Sequence, residues 1–471
     1  MRHQRSLPQI HFLTLIALQI TCFAQPENNW WYFRNIAIDF NEVPPVVHST
    51  SAMNTVEGSA SISNSEGDLL FYTNGVTVWN RNNLPMPNGE GLLGNVSSTQ
   101  SALIVPTPSD CNTYYVFTTP AQDLVTPLSY SIIDMTLDGG LGDLTLKNVP
   151  LITGVTERLT ATLHANGIDR WIVGQRCNDL AIISFLLTAS GVDLTPVVSP
   201  APPPSIESSC FIGSLKIAPN GQTLCTTHVY PEHAYLMDFD PLTGLSSNAV
   251  QFAPFAGTGG YGIEFSPNSS KLYLQTLESP RRIVQYDLLA GEASEILASR
   301  FVVDSAGSFP PPNDNPLYGG ALQLAPNGII YANRLHKPFL SAIMEPDALG
   351  AACGYIEQAI DLSPLTCQDG LPNHLPSYPP CSAYVDVTEF SDGIESAEVT
   401  HSTDRLVIRS QDESWIGMQL ILLDMNGRIV LNERIRSSDH SIKLQGIASG
   451  SYVARLMNND VSSSRLIILG Y

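Results

Sequence analysis

Short apolar runs alternate with tight polar turns along most of the chain, and the alternation repeats. "SLKIAPNGQTL" (214–224) reads as a strand, a Pro-Asn-Gly turn and a second strand; "GIEFSPNSSKLYL" (262–274) and "ALQLAPNGIIYA" (321–332) have the same grammar. Six such phrases start near positions 59, 102, 161, 214, 262 and 321, 43 to 59 residues apart. In each, a short apolar strand meets Asn-Gly or a similar pair that tolerates positive φ and closes a hairpin. The next strand is rich in Tyr, Phe, Val and Ile, which fit a pleated, half-buried surface. A third ends in a turn such as "FDPLTG" (239–244) or "DLLAG" (287–291). No 3.6-residue period persists across a repeat, which excludes a helical solenoid.

One small sheet cannot bury both of its faces, so it must stack on copies of itself, and periods of about 40–50 residues with this content mark β-propeller blades. Six phrases do not fix six blades. "NNWWYFRNIAIDF" (28–40) supplies two strands with no inner partner, and "GLPNHLPSYPPCSAYV" (370–385) offers an inner strand near 373–378. Joining both ends in one composite blade removes exposed edges. The expectation is an all-β chain with a seven-bladed propeller over 25–385, the alternative being six blades.

From 386 the composition turns polar, and 386–398 reads as a linker. A second module follows at 399–471, with six or seven short strands and Met425-Asn426-Gly427 as a hairpin turn. Its size suggests a small C-terminal β-sandwich. Charge divides the same way. Residues 391–471 hold 10 acidic and 8 basic groups, against 34 and 13 in 25–390.

The first 24 residues have Arg2 and Arg5, the apolar run Phe12–Ile20 and Cys22-Phe23-Ala24. That is the pattern of a secretory signal peptide, with cleavage between Ala24 and Gln25. The apolar run is too short to span a bilayer, which takes about 20 residues, and no later segment is long and apolar enough. The formal charge of −21 repels nucleic acid and anionic lipid, whose binding relies on Lys and Arg. Export to an oxidising compartment predicts disulfides among the seven remaining cysteines, with at least one left over. A pair among Cys353, Cys367 and Cys381 is the expectation; spacing does not choose which.

Two resemblances follow. "WWYFRNIAIDFN", "EGSASISNSEGDLLFYTNGVTVWNRNNLPMPNG", "SSTQSALIVPTP", "YSIIDMTLDGGLGDL" and "GLPNHLPSY", in that order, resemble exported propeller proteins of Bacteroidota. This implies a fold and a lineage but no reaction. "ILLDMNGRIV" (421–430), "GIASGSYVARL" (446–456) and "SRLIIL" (464–469) resemble the type A C-terminal sorting domain of the type IX secretion system. The resemblance implies passage across the outer membrane by that machinery, followed by removal of the tail or its exchange for a surface anchor. The usual Pro-Asn-Pro opening is absent; "HSTDRLVI" (401–408) stands in its place.

Candidate chemistry is sparse. "DMTLDGGLGD" (134–143) places Asp134, Asp138 and Asp143 among glycines, but it lacks the alternating ligands and final glutamate of an EF-hand loop. It reads as a turn, with calcium the alternative and no cofactor expected. His164, His228 and His233 sit near strand ends, where histidines serve as ligands or bases. Trp30, Trp31, Tyr32, Trp79 and Trp171 either wedge between blades or face a sugar at the channel mouth. "YLMDFDPLTGLSS" (235–247) faintly resembles a turn phrase of seven-bladed lactonase-like proteins and concerns fold alone. The reading is a non-enzymatic binding or adhesion module, extracellular or attached to the outer cell surface, for a glycan, peptide or surface ligand. The alternatives are a propeller hydrolase or lactonase-like enzyme and a structural component of the envelope or matrix.

Overall fold

The computed structural model describes residues 25–376, apart from position 109 and segments 201–209, 230–232, 253–259, 277–281 and 305–319, together with tail strands between 397 and 469. Seven antiparallel sheets follow one another from residue 30 to residue 361. Six are meanders of four or more strands, starting with Ala60–Ser63, Ala102–Pro106, Val155–Leu163, Leu215–Ile217, Gly260–Phe265 and Leu322–Leu324. The sheet before them has three strands, Trp30–Phe33, Ile36–Asp39 and Val46–His48. Starting strands of successive sheets lie side by side around a common axis, making a seven-bladed propeller. Blades are numbered here in chain order, blade 1 beginning at Trp30.

Burial explains why the repeat is legible. Every residue of the starting strand Gly260–Phe265 is buried, as is every residue of the next, Lys271–Thr276. Strands packed on both faces read as continuous apolar runs. The outermost strands, such as Pro85–Glu90 and Tyr355–Asp361, are largely exposed and blend into the polar connections. The turns are equally local. Gly221 and Gly328 take φ of +73° and +79° at the ends of their Pro-Asn-Gly turns, and each donates its N–H to the residue three before it. In "SPNSS" Ser269 takes the same place with φ of 62°, so the hairpin survives without glycine.

Neighbouring blades are joined by apolar clusters. Trp31, Phe33, Ile36 and Ile38 of blade 1 pack with Tyr331, Leu340 and Ile360 of blade 7 and with Leu371. Burying each such side chain contributes roughly 1.5–3 kcal/mol. The Trp30–Phe40 stretch therefore closes the ring, as expected. Of the expected inner strand near 373–378, residues 377 and 378 lie outside the described residues, and the described part, residues 373–376, is not a ladder strand. It makes a single parallel bridge, Ser59 to Pro372, and Asn373 donates its N–H to Ser59 O at 2.7 Å. Pro372 and Pro376 have no N–H to donate, so a regular ladder cannot continue through them.

The aromatic residues wedge between blades. Tyr32 of blade 1 stacks on Tyr72 of blade 2 at 4.0 Å, and Tyr72 on Trp79 at 5.5 Å. Trp171 of blade 4 donates Nε1–H to Pro241 O of blade 5 at 2.9 Å. The expected cysteine pair is corrected. Cys353 and Cys367 are free and buried, each in a different cluster between blades, so no pair forms among the three. Cys381 and Ala24 lie outside the described residues. The disulfide that forms joins Cys177 to Cys210 with Cα atoms 5.3 Å apart, and Cys111 is also disulfide-bonded.

The tail forms two antiparallel sheets, one of three strands and one of four. Gln419–Asp424 pairs with Ile429–Arg434 around the predicted Asn-Gly position, which itself lies outside the described residues. No helix among the described residues is long and apolar enough to cross a membrane.

Candidate functional site

Two amides tie the inner strands of blades 3, 4 and 5 together. Gln100, just ahead of the first strand of blade 3, accepts N–H groups from Leu159 of blade 4 (3.1 Å) and Leu215 of blade 5 (2.8 Å). Its Nε2 donates to Leu215 O at 3.1 Å and faces Asn373 Oδ1 at 3.4 Å. Asn373 Nδ2 donates in turn to Leu159 O (2.9 Å) and Ala102 O (3.3 Å). Beside this network the inner strands carry two chemically different groups of buried polar side chains.

One end gathers the residues that follow the starts of the inner strands. Lys216 Nζ reaches Glu264 Oε2 at 3.2 Å and Gln323 Oε1 at 2.6 Å, so blades 5, 6 and 7 meet through one ammonium. Glu264 also receives N–H groups from Phe265 and Leu324, both at 2.9 Å. His374 and Gln25 line the same space, a cavity of about 20 Å³, room for about one water. His374 lies against Trp31, with ring centroids 5.9 Å apart, and both its nitrogens lack a protein partner. Burial, then the Lys216 charge, depress its pKa to about 3, keeping the ring neutral.

The other end is acidic. Asp369 donates its N–H to Val56 O at 3.1 Å, which sets it beside Glu57 of blade 2. The Glu57–Gly58 segment packs on Ser98–Ser101 of blade 3. There Thr99 donates both its N–H (2.9 Å) and its hydroxyl (2.7 Å) to Glu157 Oε2 of blade 4. Three carboxyls thus follow one arc of the ring, and the buried Tyr261 of blade 6 faces them electrostatically. Burial first, then Glu157 and Asp369, push the Glu57 carboxyl up to about 9. Burial likewise raises Glu157, against the pull of Thr99 and Arg158. Glu57 Oε2 is buried without a hydrogen-bond partner, while the Gln122 N–H approaches the Glu157 carboxylate and Thr99 approaches the Tyr261 hydroxyl. Arg158 lies beside Glu157 but spends its guanidinium on carbonyls of Thr227, Cys210, Phe211 and Ile212.

The residues singled out from sequence are placed as follows. Asp134 accepts from Thr136 at the predicted turn, and Asp143 accepts from Asn88 at 2.8 Å, while Asp138 opens a short helical turn. Among the described residues no group of three His, Cys, Asp or Glu side chains could hold a metal ion. His164 is tied to Leu242 O and Asn166 N. His228 and His233 do come together, as a cross-strand pair with rings 5.1 Å apart and Tyr235 edge-on to both. Burial, followed by Arg158, lowers the pKa of each.

Residue-type reasoning missed Glu57, Gln100, Glu157, Tyr261 and Asp369. A signal was present: Glu57-Gly58 puts an acid before a glycine just ahead of an inner strand, and Asp369-Gly370 does so just ahead of the Pro372 bridge. A Cβ on Gly58 would collide with Ser101 N, and one on Gly370 with Glu57 O. Those glycines mark where blades approach too closely for a side chain.

Comparison with known proteins bears on the two modules separately. Residues 402–469 match the secretion system C-terminal sorting domain. No curated protein matches the chain. Among solved structures, the chain is similar to a putative 6-phosphogluconolactonase from Bacteroides fragilis NCTC 9343, at 13% identity, 82% of this chain, 97% of that chain and TM-score 0.38. The periplasmic gluconolactonase PpgL of Pseudomonas aeruginosa matches at 12% identity, 82% and 98% coverage and TM-score 0.37. PorZ of Porphyromonas gingivalis, a surface component of the type-IX secretion system, matches at 12% identity, 78% and 50% coverage and TM-score 0.32. Similarity at this level carries no argument about activity.

Proposed function

We propose that this chain, a propeller sent to the cell surface or beyond by its C-terminal sorting domain, is a binding module whose ligand docks at the acidic end of the channel. The observation that carries the reading is convergence: polar side chains from blades 2, 3, 4 and 6 and from the Asp369 segment meet there, and Glu57 Oε2 is buried without a hydrogen-bond partner. Gln100 and Asn373 are engaged with the main chain of blades 3, 4 and 5 and serve the ring itself. Propellers present one concave site where loops of all blades meet, and a glycan, peptide or surface component is the ligand class expected there. The type IX machinery is the partner of the tail. Glycan and peptide arrays probed with residues 25–471 test the reading. Saturable binding that weakens in Glu157→Gln supports it, and the absence of any saturable ligand contradicts it.

A hydrolytic reading has one observation in its favour. Glu57 is held neutral beside Glu157, whose carboxylate form receives two hydrogen bonds from Thr99. Burial pushes both carboxyls up, and two adjacent carboxyls are the pair that general acid and general base catalysis draws on. Turnover of a lactone or glycoside panel, abolished in Glu157→Gln, would favour catalysis over binding.

A further inference from the structure

We infer that the second hairpin of blade 5 holds a late first-row transition ion, copper(II) ahead of zinc(II), on the side chains of His228, His233 and Tyr235. The strands Thr223–His228 and His233–Phe239 pair so that His228 stands opposite His233 in the ladder. Tyr235 follows His233 by two positions and so lies on the same face of its strand. His228 and Tyr235 are 0% exposed and His233 is 5% exposed. Both ring nitrogens of His228, Nε2 of His233 and the Tyr235 hydroxyl are buried without a hydrogen-bond partner. Buried polar groups of native proteins are nearly always satisfied. Here the unpartnered atoms all belong to metal-ligating side chains on one face of one hairpin, and together they point to a shared occupant.

The spacing suits an ion. Two imidazoles bound tetrahedrally through nitrogens about 2.0–2.1 Å from one metal have ring centres about 5 Å apart. The rings of His228 and His233 are 5.1 Å apart. Tyr235 stands edge-on to both, 5.6 Å from His228 and 4.9 Å from His233. Carboxylates and thiols do not complete the set among the described residues, so the phenol is the third ligand. Imidazole suits copper, zinc, iron and nickel, with affinity highest for copper, whereas magnesium and calcium take oxygen ligands. Burial, then Arg158, keeps both imidazoles neutral and their lone pairs free for a metal. The Arg158 charge also works against a bare dication, and Tyr235 offsets it. Burial holds the phenol protonated until an ion arrives; as the oxygen–metal bond forms, the O–H bond breaks and the proton leaves to solvent. Three protein ligands leave a fourth position for water or a small ligand.

The test is titration of residues 25–471, freed of metal by chelation, with copper(II), zinc(II) and magnesium salts. Copper should bind stoichiometrically, zinc more weakly and magnesium not at all. The copper form should show hyperfine splitting from two imidazole nitrogens in its electron paramagnetic resonance spectrum, and a visible phenolate-to-copper charge-transfer band. Tyr235→Phe should erase the band and keep both nitrogens. Losing even an outer partner of a ligand costs about 10–100-fold in metal affinity, so His228→Gln, which removes a ligand itself, should cost about 100-fold or more. Both spectra are read on the unmutated chain, so a variant that fails to fold does not blunt the test. Copper bound without the two nitrogens and the phenolate band overturns the inference, as does equal affinity in His228→Gln or uptake of neither ion. Zinc bound more tightly than copper on the same three residues supports the site and overturns the choice of copper. The three ligands share no residue with the acidic group of Glu57, Glu157 and Asp369, so this result and that of the glycan and peptide panel are read separately.

Discussion

Gln100 pairs with Leu215 across the channel as though it were a strand, accepting the Leu215 N–H at 2.8 Å and donating to the Leu215 carbonyl at 3.1 Å. One side chain of blade 3 thereby does for blade 5 what a neighbouring backbone does inside a sheet. Gln100→Leu would strand three buried main-chain groups, the N–H of Leu159 and both polar groups of Leu215. Each such group costs about 1–3 kcal/mol, so a loss of about 3–9 kcal/mol is expected. Gln100→Ala should lose less, because the space it opens admits water. Denaturant unfolding of the two variants measures both, and equal losses would argue against the water.

Lys216 is the second cross-blade tie. Lys216→Met leaves the Glu264 carboxylate buried with only two N–H donors, and breaking a buried pair costs about 3–5 kcal/mol. The lower part of that range is expected, because Phe265 and Leu324 continue to donate. Adding Glu264→Gln removes the stranded charge and should restore more than half of the loss. A double-mutant cycle by thermal and chemical unfolding checks the coupling.

Stability should be limited by different groups on the two sides of neutrality. Glu57 has its folded pKa raised to about 9 from 4.5, by burial and then by Glu157 and Asp369. Its contribution is fully present below pH 4.5 and is lost as pH rises through 9. His374 is depressed to about 3 from 6.5 by burial and then by Lys216. Its contribution is present above pH 6.5 and is lost as pH falls toward 3. Melting temperatures followed from pH 4 to pH 9 should therefore lose part of their alkaline decline in Glu57→Gln. His374→Leu, which also removes two unpartnered nitrogens, should lose part of the acid decline.

Removing residues 402–471 takes away the sorting domain. The truncated chain is expected to remain inside the outer membrane, while the full chain reaches the surface or the medium. Fractionation with immunodetection reads the difference directly, and unchanged export would contradict the assignment of the tail.

The ring was legible because its inner strands are apolar on both faces and its turns announce themselves at Pro219-Asn220-Gly221 and Pro326-Asn327-Gly328. Outer strands such as Pro85–Glu90 were hidden, since exposure gives them the composition of loops. Blade 1 illustrates the limit of periodicity. Trp31 and Phe33 told of a sheet at the start of the ring, but Pro372 and Pro376 kept the returning segment from completing a ladder with it. The site was harder still. Glu57 and Asp369 are 312 positions apart and meet only after the wheel closes, so no local spacing joins them. The cysteines failed for the same reason: Cys353 and Cys367 are near in sequence but sit in the seams on either side of blade 7.

The most direct measurement is a comparison of ligand binding by residues 25–471 and by Glu157→Gln across a glycan and peptide panel at fixed pH and salt. If the acidic end of the channel is the working surface of an exported binding module, at least one ligand will bind saturably and lose at least tenfold in affinity in the variant. Ligands that bind both forms equally, or a panel with no saturable ligand at all, would contradict it.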